Sequence, residues 1–127
     1  MRGENDGDQR TDPSVEGSES VLGRDEFYRA LASTPRRRLL GYLLGEREST
    51  VDELAEMLVG WEAASNGETG TGEEYTRMRI ELQHSHLPLL ASVGLIAYDS
   101  EDGTVRIEPL DEQGRALVEA SVGAGER

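Results

Sequence analysis

The sequence predicts a mainly α-helical fold with a small β-hairpin, the α+β architecture of a winged helix-turn-helix. Apolar residues recur at helical spacing in four segments between residues 25 and 92, and two short strands joined by a tight turn follow at about residues 95–107. Proline or glycine separates these segments. We expect a disordered acidic tail at residues 1–22, a winged-helix domain at 23–108 and a C-terminal segment at 109–127.

A proline separates the first two predicted helices. Apolar residues from Phe27 to Ala32 predict a short amphipathic helix, which Ser33-Thr34-Pro35 interrupts. A second helix is predicted at residues 35–44, because Thr34 is a good N-cap, proline is tolerated in the first turn, and Gly45 marks the end.

Three consecutive arginines, which we call the arginine triad, occupy the first turn of that second helix: Arg36, Arg37 and Arg38. The helix dipole disfavours cations at this end, so helix stability does not explain them. Two interpretations remain open. The triad is either a clamp for DNA phosphates or an arginine-rich surface that pairs with the many carboxylates of the chain.

A third helix is predicted at about residues 52–64, where Thr50 and Glu53 match a capping pattern and Val51 is free to lie in a short strand before it. We expect Trp61 to cover apolar surface rather than to stack on a base. The glycine-rich loop at residues 65–72 lacks the Gly-Lys-Ser ending of a phosphate-binding loop, so we interpret it as a surface insertion. It is longer than the turn of about four residues in a compact helix-turn-helix.

The helix at about residues 73–86 is the predicted recognition helix. Its apolar residues recur at steps of three and four and define one buried stripe: Tyr75, Met78, Leu82, Leu89 and Val93. Polar side chains that fall off this stripe are candidates for contact with base edges and phosphates in a DNA groove. These candidates are Thr76, Arg77, Arg79, Gln83 and His84.

Pro88 is expected to interrupt that helix, and residues 88–92 can then form a last turn before Gly94. Its ring would clash with the carbonyl of His84, and it pushes Leu87 towards an extended conformation, so a kink or break is predicted near His86. A hairpin follows, with strands at residues 95–98 and 104–107 around a tight turn. We interpret this hairpin as the wing, and Arg106 on it is a candidate contact to the DNA backbone.

The two histidines, His84 and His86, do not make a convincing metal site. Residues two apart on a helix point roughly 200° away from each other, and no third ligand is evident. A catalytic role for Ser85 is disfavoured because no glycine-framed elbow surrounds it. We therefore expect a buried or capping histidine, no metal and no enzymatic activity.

The composition is strongly acidic. The 127 residues include 26 acidic residues and 13 basic ones, all arginine, and the formal net charge is −13. This composition is unusual for a nucleic-acid-binding protein, but it resembles that of proteins from salt-accumulating halophiles. At about 1 M salt the screening length is only ~3 Å, so the net charge says little about partners.

The sequence lacks features that are typical of secreted, membrane-spanning and thiol-containing metal proteins. The chain has no cysteine, which excludes disulfides and thiolate metal sites. It has neither a secretory signal nor a run of about 18 apolar residues that could cross a membrane, so we expect a cytoplasmic protein with no membrane contact. The modest apolar content predicts a small core, and no cofactor is expected.

Three short motifs together resemble the ArsR-like winged-helix regulators of archaea and bacteria. His86-Leu87, Leu90 and Gly94-Leu95-Ile96 are similar to the run that closes their recognition helix and enters the wing. The segments 51–55 and 31–36 are similar to two earlier signatures, so the likeness covers about residues 25–108. Small winged-helix proteins of halophilic archaea are the most similar group. The cysteines with which some ArsR-like proteins sense metals are missing from residues 51–58.

The resemblance implies a DNA-binding transcriptional regulator. The alternative is a winged-helix module for protein–protein interaction without DNA contact, which Glu73, Glu74 and Glu81 on the recognition helix favour. The C-terminal segment has near-helical apolar spacing from Leu110 to Val122. It either forms a homodimer together with the N-terminal helix or is a loosely packed tail.

Overall fold

Six α-helices and three short strands make up the described part of the chain, residues 25–67 and 70–125 of a computed structural model. The elements are α1 (25–30), α2 (Thr34–Glu46), β1 (Glu48–Thr50), α3 (Val51–Asn66), α4 (Gly72–Glu81), α5 (Leu87–Ser92), β2 (Ile96–Asp99), β3 (Thr104–Ile107) and α6 (Glu112–Gly125). The predicted α+β winged helix-turn-helix is confirmed. The tail predicted to be disordered at residues 1–22 lies outside the described residues. Among those described, no helix is both long and apolar enough to cross a bilayer.

The predicted hairpin is confirmed as β2 and β3, and β1 adds a third strand, so the wing is a three-stranded antiparallel sheet. Its central strand is β3, which pairs with β1 on one side and with β2 on the other. Gly103 closes the turn between β2 and β3 with a φ of +73°, a conformation that favours glycine. The added strand β1 lies at Glu48–Thr50, just before the position expected for a strand at Val51, and the backbone N–H of Val51 donates to the carbonyl of Gly103 at 2.9 Å. The start of α3 is therefore tied to the turn of the wing.

Leucine side chains form most of the core. Helix α6 also contributes to it, since Val118 is fully buried and α6 packs against α2. The C-terminal segment is thus a helix that closes the core, not a loosely packed tail. The largest fully buried side chains are Leu39, Leu40, Leu43, Leu54, Leu58, Leu82, Leu87, Leu90, Leu95, Val105 and Val118.

No break occurs near His86, where a kink or break was predicted, because a π-helical turn at Leu82–His86 joins α4 to α5. Leu87 keeps helical angles, with φ −70° and ψ −43°, and its N–H donates to the carbonyl of Leu82, five residues back. Proline lacks an N–H and crowds the carbonyl four residues before it in a regular α-helix. The wider π-helical turn accommodates this proline, so the helix continues to Ser92.

The additional residue in the π-helical turn changes which side chains face the core. The predicted stripe is correct at Met78 and Leu82, which are buried. Beyond Leu82 it is wrong, because Leu89 is only partly buried whereas Leu87 and Leu90 are fully buried. An α-helical step of four residues from Leu82 would have buried His86, but the step of five buries Leu87 and leaves His86 at the edge of the core.

The connection between α3 and α4 is shorter than predicted. Because α3 extends to Asn66 and α4 begins at Gly72, only residues 67–71 lie between the helices. Gly67 ends α3 in the left-handed conformation. A β-carbon added to Gly70 would overlap the side chain of Val59, so Gly70 lies directly on α3.

A capping box fixes the first turn of α4. The side chain of Thr71 accepts from the N–H of Glu74 at 3.1 Å, and the Glu74 carboxylate accepts from the N–H of Thr71 at 3.1 Å. Two backbone donors that the helix leaves unpaired are thereby satisfied. The end of α3 and the start of α4, on the two sides of the connection, are therefore both ordered.

Candidate nucleic-acid interface

The outward surface of α4 is polar and nearly uncharged. Thr76, Arg77, Ile80 and His84 are exposed along it, and we call these four residues the α4 face. Ile80 is 52% exposed at its centre. The single arginine is balanced by Glu73 in the first turn and by Glu81 at the end of α4. This surface therefore offers little charge attraction to phosphate.

The α4 face is available for contact. The hydroxyl of Thr76 donates to the carbonyl of Gly72 at 3.0 Å, so its donor is occupied within the helix. Arg77 and His84 have no hydrogen-bond or ion-pair partner among the residues that the structure describes. Gln83, the fourth polar candidate, is half-buried in the π-helical turn. Arg77 is consequently the one guanidinium of α4 that points to solvent.

Arg79, another predicted DNA contact, lies against α3 instead. Its Nε is 2.8 Å from Oδ1 of Asp52, an ion pair in which the N–H is not aligned for a hydrogen bond. Both side chains are partly exposed, so the pair adds little to stability. Partial burial and then the Asp52 carboxylate raise the pKa of the neighbouring Tyr75 phenol. Arg79 thus orients α4 on α3.

Arg36 connects α1 to the π-helical turn. Its Nε donates to the carbonyl of Ala30 at 2.8 Å, and its Nη2 donates to the carbonyl of Arg29 at 3.0 Å. Its Nη1 lies 3.1 Å from Nδ1 of His86. Cations are favoured at the carboxyl end of a helix, and α1 ends at these carbonyls. The arginine in the first turn of α2 therefore caps the preceding helix.

The other two members of the arginine triad are also engaged within the fold. Arg37 donates to the carbonyl of Leu31 at 2.9 Å and to the hydroxyl of Thr34 at 3.1 Å. The guanidinium carbon of Arg38 lies 4.7 Å from the ring centre of Trp61, a cation–π contact. In the described contacts the triad binds carbonyls, a histidine, a hydroxyl and an indole, rather than carboxylates.

His86 receives the Arg36 contact as a neutral imidazole. Burial, followed by the charge of Arg36, lowers the pKa of His86, and Glu81 opposes this shift. The ring therefore accepts at Nδ1, and its Nε2 lies 3.8 Å from Oε1 of Glu81. His84 is exposed and does not share this environment. Within the described residues no three side chains are grouped as ligands for a metal ion.

Arg106 lies on the outer surface of the wing. It is exposed on β3, next to the buried Val105, and pairs in register with Glu48 of β1. Glu48, Asp99 and Glu101 line the same shallow depression as Arg106. The wing surface around this arginine is therefore acidic.

Ile80 on the α4 face and the Arg36–His86 contact were not predicted from the sequence. A signal for Ile80 exists, because a residue two positions from Met78 lies about 200° away from it around an α-helix and must face outward. The Arg36–His86 contact has no local signal, since 50 positions separate the two residues in the chain.

A family model described as a domain of unknown function, DUF7344, matches residues 28–106. This range includes the arginine triad, the α4 face, the π-helical turn and most of the wing. No curated protein and no solved structure matches the chain. Since the matched range is well over half of the chain, the protein belongs to the DUF7344 family.

Proposed function

We propose that this member of the DUF7344 family is a DNA-binding transcriptional regulator of the winged-helix type. The exposed α4 face carries the proposal. The helix buries Met78 and Leu82 and presents Thr76, Arg77 and His84 to solvent, and an α-helix fits the major groove of DNA. The resemblance to ArsR-like regulators supports the same function.

The candidate DNA-contacting residues fall into two groups: those that are exposed and those that make contacts within the fold. Arg77 is the leading candidate for a base or phosphate, with His84, Thr76 and Gln83 beside it. Arg106 on the wing is the candidate for the DNA backbone. Arg79 and the arginine triad act indirectly, because they hold α4, α1 and α3 in place.

The number of arginine side chains that contact phosphate sets the salt dependence of binding. Phosphate contacts release counterions, and the logarithm of the binding constant falls with the logarithm of salt by about 0.9 for each phosphate neutralised. With Arg77 and Arg106 as the two phosphate contacts, we expect a slope of about −2. Such a protein retains its affinity in the saline cytoplasm of a halophile, where we place it.

Selection from random duplex DNA tests the proposal. The full chain should enrich a defined sequence at about 0.1 M and at about 1 M KCl, and fluorescence anisotropy measures its affinity for that sequence. Replacing Arg77 by alanine should weaken binding about tenfold or more, as expected for a lost base contact. The matched control is Arg115→Ala, which removes an exposed arginine from α6, where it pairs with Glu119. The proposal fails if no sequence is enriched, or if both variants weaken binding equally.

A protein-interaction module without DNA contact is the second candidate. The exposed Ile80 and the two flanking glutamates, Glu73 and Glu81, favour it. This candidate predicts no enriched DNA at either salt concentration, so the same selection distinguishes the two functions.

We also propose a homodimer that uses α1 and α6. Tyr28 on α1 is 53% exposed and Leu117 on α6 is 38% exposed, and both are large apolar side chains. Light scattering should give the mass of a dimer for the full chain and of a monomer for a variant with Tyr28→Ser and Leu117→Ser. An unchanged mass in that variant would contradict the proposed interface.

A further inference from the structure

Ile80 is an aliphatic side chain at the centre of an otherwise polar surface. It is 52% exposed, and the residues of the α4 face around it are Thr76, Arg77 and His84. Its β-branched side chain has few rotamers in a helix, so little conformational entropy is lost when it is fixed by a contact. Trp61, another exposed apolar side chain, lies under the guanidinium of Arg38, but no side chain is seen to cover Ile80 among the described residues.

Thr76 extends this apolar centre by one turn. Residues four apart are neighbours on a helix surface, so Thr76 and Ile80 lie side by side. The hydroxyl hydrogen of Thr76 is donated to the carbonyl of Gly72, which leaves the methyl group and the acceptor side of the hydroxyl oxygen free for contact. The centre of the α4 face is thus aliphatic, and its polar groups lie at the edge.

We infer that α4 recognises thymine through the C5 methyl group, with Ile80 as the specificity-determining residue. This inference rests on the proposed function. The C5 methyl is the apolar group that base pairs display in the major groove, and aliphatic side chains contact it. Such a contact involves no charge, so salt does not screen it. It therefore suits a chain with a net charge of −13.

Replacement of thymine by deoxyuridine tests the contact, because it removes this methyl group and keeps the hydrogen-bonding pattern. In the duplex selected as above, each thymine is replaced in turn and the Kd of the full chain is measured. At one or two positions we expect Kd to rise about fourfold, the effect of withdrawing one methyl group from water. The ratio should be the same at low and high KCl.

Variants of Ile80 assign the effect to this side chain. For Ile80→Ala, Kd should be higher on the original duplex and should no longer respond to deoxyuridine at those positions. Ile80→Val keeps the branched methyl groups and should retain most of the response. Deoxyuridine at thymines outside the selected sequence serves as the control, and thermal melting of each variant verifies folding at this exposed position.

The experiments distinguish failure of this inference from failure of the proposed function. If DNA is bound but no thymine responds, or if Ile80→Ala keeps the response, the inference is overturned and DNA binding stands. If no duplex is selected, the proposed function and this inference fail together, and Ile80 belongs to a protein-binding surface.

Discussion

Arg36 and His86 form the contact on which several elements converge. One guanidinium donates to two carbonyls at the end of α1 and to the imidazole in the π-helical turn. The contact requires an unprotonated Nδ1, and a proton there would place a second cation 3.1 Å from the guanidinium. The groups that face the ring are Arg36 of α2 and Glu81 of α4, and Arg29 adds a further positive charge near Arg36.

Acid should weaken the fold through His86. Its pKa in the folded protein is lowered, so the unfolded chain binds the proton more readily. The stabilising contribution is complete above the unfolded pKa of about 6.5, and it is lost as the pH falls below that value towards the folded pKa. Urea unfolding of the full chain at about pH 7.5 and 5.5, in constant KCl, measures this loss.

The matched variant is His86→Gln, which keeps a hydrogen-bonding side chain that does not titrate. Carboxylates titrate in both proteins, so the difference between the two pH dependences isolates the histidine. We expect the variant to lose less free energy of unfolding than the parent between the two pH values. Equal losses would contradict a role for His86 protonation.

Among the helices and strands, the sequence predicted the features that depend on neighbouring residues in the chain. Apolar spacing predicted the helices, and Gly103 predicted the turn of the wing. The π-helical turn was missed because the rule for proline assumes a regular helix before it, whereas burial of Leu87 and Leu90 favours the additional residue. A short strand was expected at Val51, but its position at Glu48–Thr50 and its pairing with β3 were missed, because three residues carry too weak a pattern without their partner.

The π-helical turn predicts which leucine matters for stability. Leu87→Ala should lower the free energy of unfolding by about 2–5 kcal/mol, because it leaves a cavity in the core. Leu89→Ala, which changes a partly buried side chain, should cost clearly less. Regular α-helical spacing predicts the opposite order. Urea unfolding of the two variants decides between the two registers.

For the protein as a whole, the net charge of −13 was predicted to say little about its partners. The sequence identified Arg77 and the exposed α4 surface correctly as accessible, but not the partners of Arg79 and the arginine triad. Those partners depend on how α1, α2 and α3 pack, which local patterns do not contain. Of the six arginines predicted to contact DNA, the arginine triad and Arg79 therefore make contacts within the fold, and Arg77 and Arg106 remain exposed.

Salt should stabilise the protein as a whole. Carboxylate repulsion acts over about 10 Å at 0.1 M salt and over only about 3 Å at 1 M, so KCl should raise the free energy of unfolding. A variant with Glu101→Gln, Asp102→Asn and Glu46→Gln, all exposed, should be more stable at low salt and respond less to KCl. Identical responses of the parent and the variant would show that repulsion is not the cause.

The strand β1 has a consequence for how a duplex would fit the protein. The N–H of Val51 donates to Gly103 in the wing turn, and the N–H of Ile107 donates to the carbonyl of Arg47, so both ends of β3 are fastened to the residues around the start of α3. In a complex of the proposed kind, the distance between the helix in the groove and the wing is then fixed. The DNA would have to match that distance, so groove width and flexibility at bases that the protein never touches would contribute to the choice of sequence.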